Sequence, residues 1–233
     1  TYLANRFMPT PVLSYAILPY ATAVGIWITA SHNPSSDNGY KLRSEYAGAA
    51  APETLAAVEE RIRAAQEAGR FQRMEYDAAV KQGLIQLIDP SVPYLEQIHK
   101  LVDMDTLKNA GLKIAVDPMW GVGQGWFPAL LGGGQTQIHE IHNSRHPLFP
   151  EMARPEPIAE NLRVLLRTIP EIGADAGIAN DGDADRVGFA SEEGEFVNQL
   201  QVYALLALYL LECRGQRGPL VRTISTTAMA NKL

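Results

Sequence analysis

Three aspartates stand at alternate positions in the stretch DGDADR: Asp181, Asp183 and Asp185. Carboxylates this close repel one another, and a hard cation among them relieves the repulsion. Gly182 and Ala184 are small enough to let the three side chains converge. An oxygen-only donor set points to Mg²⁺ or Mn²⁺ rather than Zn²⁺. Arg186 follows directly. A cation beside a metal-binding triplet is wasteful unless a further anion, such as a phosphate, is held there too. Two other readings compete. An EF-hand loop matches at positions 1, 3 and 5, and Glu192 falls at position 12, but Arg186 occupies position 6, where the turn needs glycine. The flanks also read as strands rather than helices. The remaining reading is a solvated acidic turn, the usual fate of a lone aspartate pair.

A second group of reactive side chains lies in TASHNPSSDNGYK, Thr29–Lys41: the hydroxyl of Ser31, the imidazole of His32, the amide of Asn33 and the ammonium of Lys41. The stretch follows an apolar, β-branched run, Val24–Ile28, which reads as a buried strand. Asn38-Gly39 signals a turn, so Lys41 begins a strand that returns beside the serine. Adjacent serine and histidine are not a hydrolase triad, and the G-x-S-x-G elbow is absent. On its own the loop is equally well a capped turn. Other features read as structural. GVGQG at Gly121–Gly125 has its third glycine one position too early for a dinucleotide fingerprint and reads as a strand–helix turn. His139, His142 and His146 lack the cysteines or paired carboxylates of a Zn²⁺ site and read as surface or loop histidines. Trp27, Trp120 and Trp126 read as core or loop packing.

The elements that must position these loops alternate between strand and helix. Thr10-Pro11 reads as a helix start, with Thr10 as N-cap and a helix over 12–18. Further helices are expected over 52–68, closed by Gly69, and over 91–102, with a connector at 71–93 holding one short helix or strand. The pattern then restarts. Strands are expected at 112–116, 137–141, 176–179, 187–190 and 220–224, and helices at 126–131, 158–169 and 201–213. Such alternation predicts an α/β chain of tandem α/β/α sandwich domains with mixed, mainly parallel sheets. The expected division is a partial first domain over 1–88, a second over 89–196 and the truncated opening of a third over 197–233.

The chain has 233 residues, of which 46% are hydrophobic and 20% charged, with a net charge of −6. That balance argues against a nucleic-acid partner, yet leaves room for a small phosphorylated ligand held by a few local cations. One cysteine, Cys213, rules out an intrachain disulfide and fits a reducing, cytoplasmic setting. The longest apolar run, Val202–Leu211, is too short to span a bilayer and reads as a buried helix, so no membrane association is expected. No signal peptide is read. The chain opens in mid-pattern and closes just after a strand-like stretch, as a piece of something larger would.

Taken together, TASHNPSSDNGYK and DGDADR resemble the α-D-phosphohexomutase superfamily, in its phosphoglucomutase/phosphomannomutase branch. KIAVDPMWGVG between them, and the Pro-Glu-Pro before a helix, are similar to the family's second domain. The resemblance implies a phosphate carried on Ser31, with Mg²⁺ bound by Asp181, Asp183, Asp185 and a phosphate oxygen on that serine. It implies a phosphorylated hexose as substrate, a hexose 1,6-bisphosphate intermediate, and isomerisation without redox chemistry. Lys41 then stands for general acid/base work or charge contact, Arg186 for contact with a phosphoryl oxygen, and His32 for orientation of the serine loop. Asn33 fixes the turn before Pro34, and Arg6 is a further cation that could reach the site. Tyr40 leans towards glucose and mannose, since the glucosamine branch usually has isoleucine there. A phosphoglucosamine mutase is the alternative, and a non-catalytic phosphosugar- or metal-binding module is the reading outside enzymes. Family members have four domains, so this chain alone is expected to be inactive or nearly so. The oligomeric state is left open.

Overall fold

The computed structural model describes residues 1–232. The chain divides into two compact units: Thr1–Ser31 with Ser35–Asp103, and residues 104–232 with His32–Pro34.

The first unit opens with β1 (Tyr2–Ala4), α1 (Thr10–Ala16), β2 (Val24–Ile28) and β3 (Tyr40–Ser44). It continues with α2 (Pro52–Glu67), α3 (Tyr76–Lys81), β4 (Gln86–Ile88) and α4 (Ser91–Leu101). The connector thus holds both a helix and a strand, and β4 pairs in parallel with β1, a strand that no sequence signal marked. Pro9 rather than Thr10 caps α1; Thr10 lies inside the helix and is buried, with no side-chain cap. Gly69 takes φ +60° just past α2, as a helix-ending glycine does. Tyr15 on α1 meets α4, its hydroxyl 3.3 Å from Gln97 Oε1 and its ring edge-on to Tyr94. These contacts place α4 with the first unit.

β2 and β3 form an antiparallel pair in which Trp27 opposes Lys41 and Ile28 opposes Tyr40. The expectation of a buried β2 is corrected. Trp27 alone in that strand is buried, packed under Arg43, whose Cζ lies 5.5 Å from the ring centroid. Val24, Ile26 and Ile28 share the other face by the two-residue period of a strand, and that face is exposed.

The second unit contains α5 (Met104–Asn109), β5 (Lys113–Asp117), α6 (Trp126–Leu131), β6 (Gln137–Glu140) and α7 (Arg163–Ile172). β7 (Ala176–Asn180), β8 (Val187–Ala190), β9 (Phe196–Val197) and α8 (Gln199–Leu208) complete it, α8 running into a π-helical turn at Tyr209–Cys213. The sheet has the order β6-β5-β7-β8-β9. β5 is parallel to both β6 and β7, and the β7–β8 and β8–β9 pairs are antiparallel. This is a mixed α/β sheet. α7 seals one face, where Leu162, Leu165 and Ile169 meet Ala115, Met119, Ala179 and Ala190, all buried. Helical spacing at 158–162 proved misleading. That segment is a run of tight turns, pinned where Asn161 Nδ2 donates to the carbonyls of Arg154 (3.1 Å) and Glu156 (2.8 Å).

Two further expectations are overturned. Leu220–Ile224 forms no strand; Arg222 instead donates to Thr227 O at 2.9 Å and to Asn231 Oδ1 at 2.8 Å, folding the segment back on the following turn. The run Val202–Leu211 is helical but not buried: Leu205, Leu206, Leu208, Tyr209 and Leu210 are exposed and Ala207 alone of them is buried. Its start is well specified by a capping box between Asn198 and Gln201. Among the described residues no helix is long and apolar enough to cross a membrane.

Candidate functional site

The acidic loop leaves the C-terminal end of β7, the position from which open α/β sheets present ligand-binding groups, and returns as β8. Asn180 and Val187 pair across its neck. The neck is tied a second time by Asn180 Nδ2, which donates to Arg186 O at 3.1 Å. Within the loop, Asp181 Oδ1 accepts the backbone N–H groups of Asp185 and Arg186, both at 2.9 Å. Ala184 takes the left-handed conformation, φ 56°, and its N–H closes a turn onto Asp181 O at 3.0 Å. These bonds curl six residues so that Asp181, Asp183 and Asp185 converge, each offering a carboxylate oxygen within 4.8 Å of the others.

Asp181 and Asp183 are buried, and Asp185 is exposed. Burial and the charge of Asp183 push the Asp181 carboxyl up to about 7, against the pull of the Arg186 N–H. A divalent cation opposes both causes at once, because its positive charge favours the ionised form that burial and the neighbouring carboxylate disfavour. Three carboxylates and no nitrogen or sulfur donor suit Mg²⁺ or Mn²⁺. The residues present therefore fit such an ion.

A second loop backs this one. Asp117 ends β5, and its Oδ1 accepts Met119 N–H at 2.8 Å. Met119 and Trp120 both adopt positive φ, 48° and 60°, which turns the chain sharply into GVGQG. Gly121 then lies so close to the acidic loop that a Cβ there would sit 2.5 Å from Gly182 O and 2.8 Å from Gly182 Cα. Val122 N–H donates to the same Gly182 O at 3.1 Å. GVGQG is a strand–helix turn between β5 and α6, and sequence reasoning missed that it also buttresses the aspartates. No local signal could have shown it, because the contact joins residues about sixty positions apart.

Arg186 directs Nη1 to Glu156 Oε1 at 3.1 Å, and Arg154 Nη2 lies 2.7 Å from Glu156 Oε2. The three histidines separate. His142 Nδ1 lies 3.0 Å from Asp117 Oδ1, His142 and His146 flank the Trp120 ring at 4.6 and 6.0 Å, and His139 stays exposed on β6. Hydrogen bonding to the fully buried Asp117 raises the His142 pKa.

Ser31 and Lys41 belong to the first unit. Ser31 stands in the turn after β2 with φ 54°, its N–H donating to Thr29 Oγ1 at 2.9 Å. Thr29 N–H meets Gly39 O at 3.0 Å, so β3 does return alongside, carrying Lys41 on the Trp27 face. His32 and Asn33 continue the serine turn. Arg6 is paired within its own unit, 3.4 Å from Ser91 Oγ and 4.0 Å from Asp89.

The phosphoglucomutase/phosphomannomutase α/β/α domain I profile matches residues 1–69, and the domain II profile matches residues 92–194. A probable phosphoglucosamine mutase of Pyrococcus abyssi is 34% identical over 93% of this chain and 45% of its own length. A phosphoglucomutase/phosphomannomutase of Thermococcus kodakarensis is 32% identical over 97% of this chain and 47% of its own. A protein of Thermus thermophilus whose crystal structure carries the assignment phosphomannomutase superposes with TM-score 0.85 at 31% identity, covering 97% of this chain and 49% of that one. The chain thus spans about half the length of these relatives.

Proposed function

This chain belongs to the phosphoglucomutase/phosphomannomutase family, and on that premise we propose that it carries the phosphoserine and metal-binding part of a phosphohexose mutase. The convergence of Asp181, Asp183 and Asp185 in a loop flanked by Arg186 carries the reading. In this proposal Asp181, Asp183 and Asp185 would hold Mg²⁺, and a phosphate carried on Ser31 would add an oxygen donor. When bound, the ion neutralises phosphoryl charge and steadies the oxygen that leaves. The residues of the chain do the rest. Ser31 Oγ gives its phosphoryl group to the free hydroxyl of a hexose 1- or 6-phosphate: a new O–P bond forms on the sugar, whose hydroxyl proton passes to a base, for which Lys41 as the neutral amine is the candidate, while the Ser31 O–P bond breaks with its electron pair on Oγ, which takes up a proton and becomes the serine hydroxyl. The product is the hexose 1,6-bisphosphate, and Ser31 then takes back the other phosphoryl group. Arg186 meets charge on the transferring oxygens, because phosphoryl transfer depends mainly on positioning and electrostatics. His32 orients the serine turn. Residues 197–233 open a third domain in this reading.

Tyr40 favours glucose and mannose phosphates; the phosphoglucosamine mutase names among the relatives favour the aminosugar as the second reading. A coupled assay on the protein as its host produces it, comparing glucose, mannose and glucosamine phosphates, separates them. Mass spectrometry of that protein after exposure to hexose 1,6-bisphosphate is expected to find phosphate on Ser31. A serine that never takes it up favours a non-catalytic binding module. The 233-residue chain by itself spans too little of the family's length to grip a substrate, and measurable turnover by it overturns that expectation.

A further inference from the structure

Arg186 is already committed within its own unit. Its partner Glu156 stands between Pro155 and Pro157, both buried. Proline fixes φ, and the intervening backbone is clamped further: Glu156 O accepts Ile158 N–H and Asn161 Nδ2, both at 2.8 Å. The carboxylate therefore stands on a rigid strut. Its side chain is only 17% exposed, whereas those of Arg154 and Arg186 are 48% and 45% exposed. One carboxylate lies between two guanidinium groups: Oε1 accepts a hydrogen bond from Arg186 Nη1 at 3.1 Å, and Oε2 lies 2.7 Å from Arg154 Nη2 as an ion pair without hydrogen-bond alignment. Arg186 uses Nη1 for this contact, and a guanidinium fork carries five N–H donors.

A guanidinium placed directly after three metal-binding carboxylates opposes an incoming divalent cation. A fixed carboxylate on that guanidinium offsets the opposition. The second guanidinium keeps the carboxylate from over-holding the first, so that an arriving phosphate can compete for it. We infer that Glu156 and Arg154 are positioning residues for Arg186: Glu156 shields the aspartates from the Arg186 charge, and Arg154 loosens that shield. The inference rests on the reading that the aspartates take a divalent cation, and it adds two residues that the motifs did not mark.

The experiment is a titration of Mn²⁺ into the 233-residue chain, read by the electron paramagnetic resonance signal of free Mn²⁺, with and without inorganic phosphate. Glu156→Gln keeps the shape and removes the charge, and is expected to weaken Mn²⁺ binding about two- to fivefold. Inorganic phosphate is expected to restore more of the affinity in this variant than in the unaltered chain. Arg154→Ala leaves Glu156 more fully on Arg186 and is expected to tighten Mn²⁺ binding about two- to threefold. General damage to the fold weakens binding in both variants and cannot produce opposite signs. Equal affinity in all three proteins, or weakening in both variants, overturns the inference. If Glu156→Gln fails to fold, the sign of the Arg154→Ala effect decides. Absence of Mn²⁺ binding by the unaltered chain, or its persistence in Asp183→Asn, overturns the metal reading itself and is thereby distinguished from failure of the positioning role.

Discussion

Gly121→Ala is the sharpest available perturbation of the acidic loop. The added methyl carbon would lie 2.5 Å from Gly182 O, 2.8 Å from Gly182 Cα and 3.0 Å from Gly182 C. Relaxed contacts between such atoms are about 3.5 Å, so the two backbones must separate by roughly 1 Å. All three contacted atoms are backbone, and no rotamer change can relieve them. Overpacking of this kind costs about 1–3 kcal/mol. The hydrogen bond from Val122 N–H to Gly182 O, 3.1 Å long, goes with it, for about 1 kcal/mol more. Gly182 links Asp181 to Asp183, so the displacement falls on residues whose oxygens must meet one ion at about 2.0–2.1 Å. The expected result is a melting temperature lower by about 5–10 °C and Mn²⁺ binding weakened at least about tenfold. Gly218→Ala, with nothing within 4 Å of its Cβ, is the control and should change neither. A melting temperature and an Mn²⁺ affinity both unchanged in Gly121→Ala refute the close approach. A lower melting temperature with unaltered affinity refutes the claim that the GVGQG turn holds the aspartates in place.

Two further predictions concern pH. The Asp181 carboxyl, raised to about 7 in the metal-free fold, keeps a proton that the unfolded chain releases near its ordinary value of 3.8. Its contribution to stability in the presence of a chelator is therefore expected to fall as pH rises from about 4 to about 7, and saturating Mg²⁺ is expected to abolish that slope; denaturant midpoints measured in both conditions check it. His142 is charged when protonated rather than neutral, yet its pKa too is higher in the fold than in the unfolded chain, so the direction in pH is the same. Asp117 raises it above 6.5, and its contribution is fully present below about 6.5 and is lost as pH climbs through the raised value. His142→Ala should lower the unfolding free energy by about 3–5 kcal/mol near pH 6 and by clearly less once the pH has climbed past the raised value, as read by urea unfolding at each pH.

The convergence of the three aspartates was legible in one short stretch of the sequence. Three aspartates at alternate positions converge because the loop is short and its own N–H groups bind Asp181. The return of Lys41 on β3 was legible from Asn38-Gly39. Contacts made by distant segments were not. Glu156 lies thirty positions from Arg186, and Asp117 twenty-five from His142, so neither pair leaves a local trace. Periodicity failed where a competing bond won. The apolar spacing at 158–162 looks helical, yet Asn161 spends its amide on two upstream carbonyls and holds turns instead. Thr10 looked like a cap because its residue type suits one, but Pro9 already sits in the extended conformation that starts the helix, with φ −53° and ψ 142°. Apolar composition misled as well: the residues of β2 are those of a buried strand, and only one of its faces is covered.

That uncovered face shapes how the chain behaves in a tube. Val24, Ile26 and Ile28 form a greasy row on a ribbon of just two strands, and such ribbons have little stability of their own and invite edge-to-edge or face-to-face sticking. Concentrated samples will therefore tend to cluster through the serine-bearing hairpin, while the aspartates sit in the other unit. Titrations of the acidic loop are best repeated across a range of dilutions, so that clumping through one unit is not mistaken for ion uptake by the other.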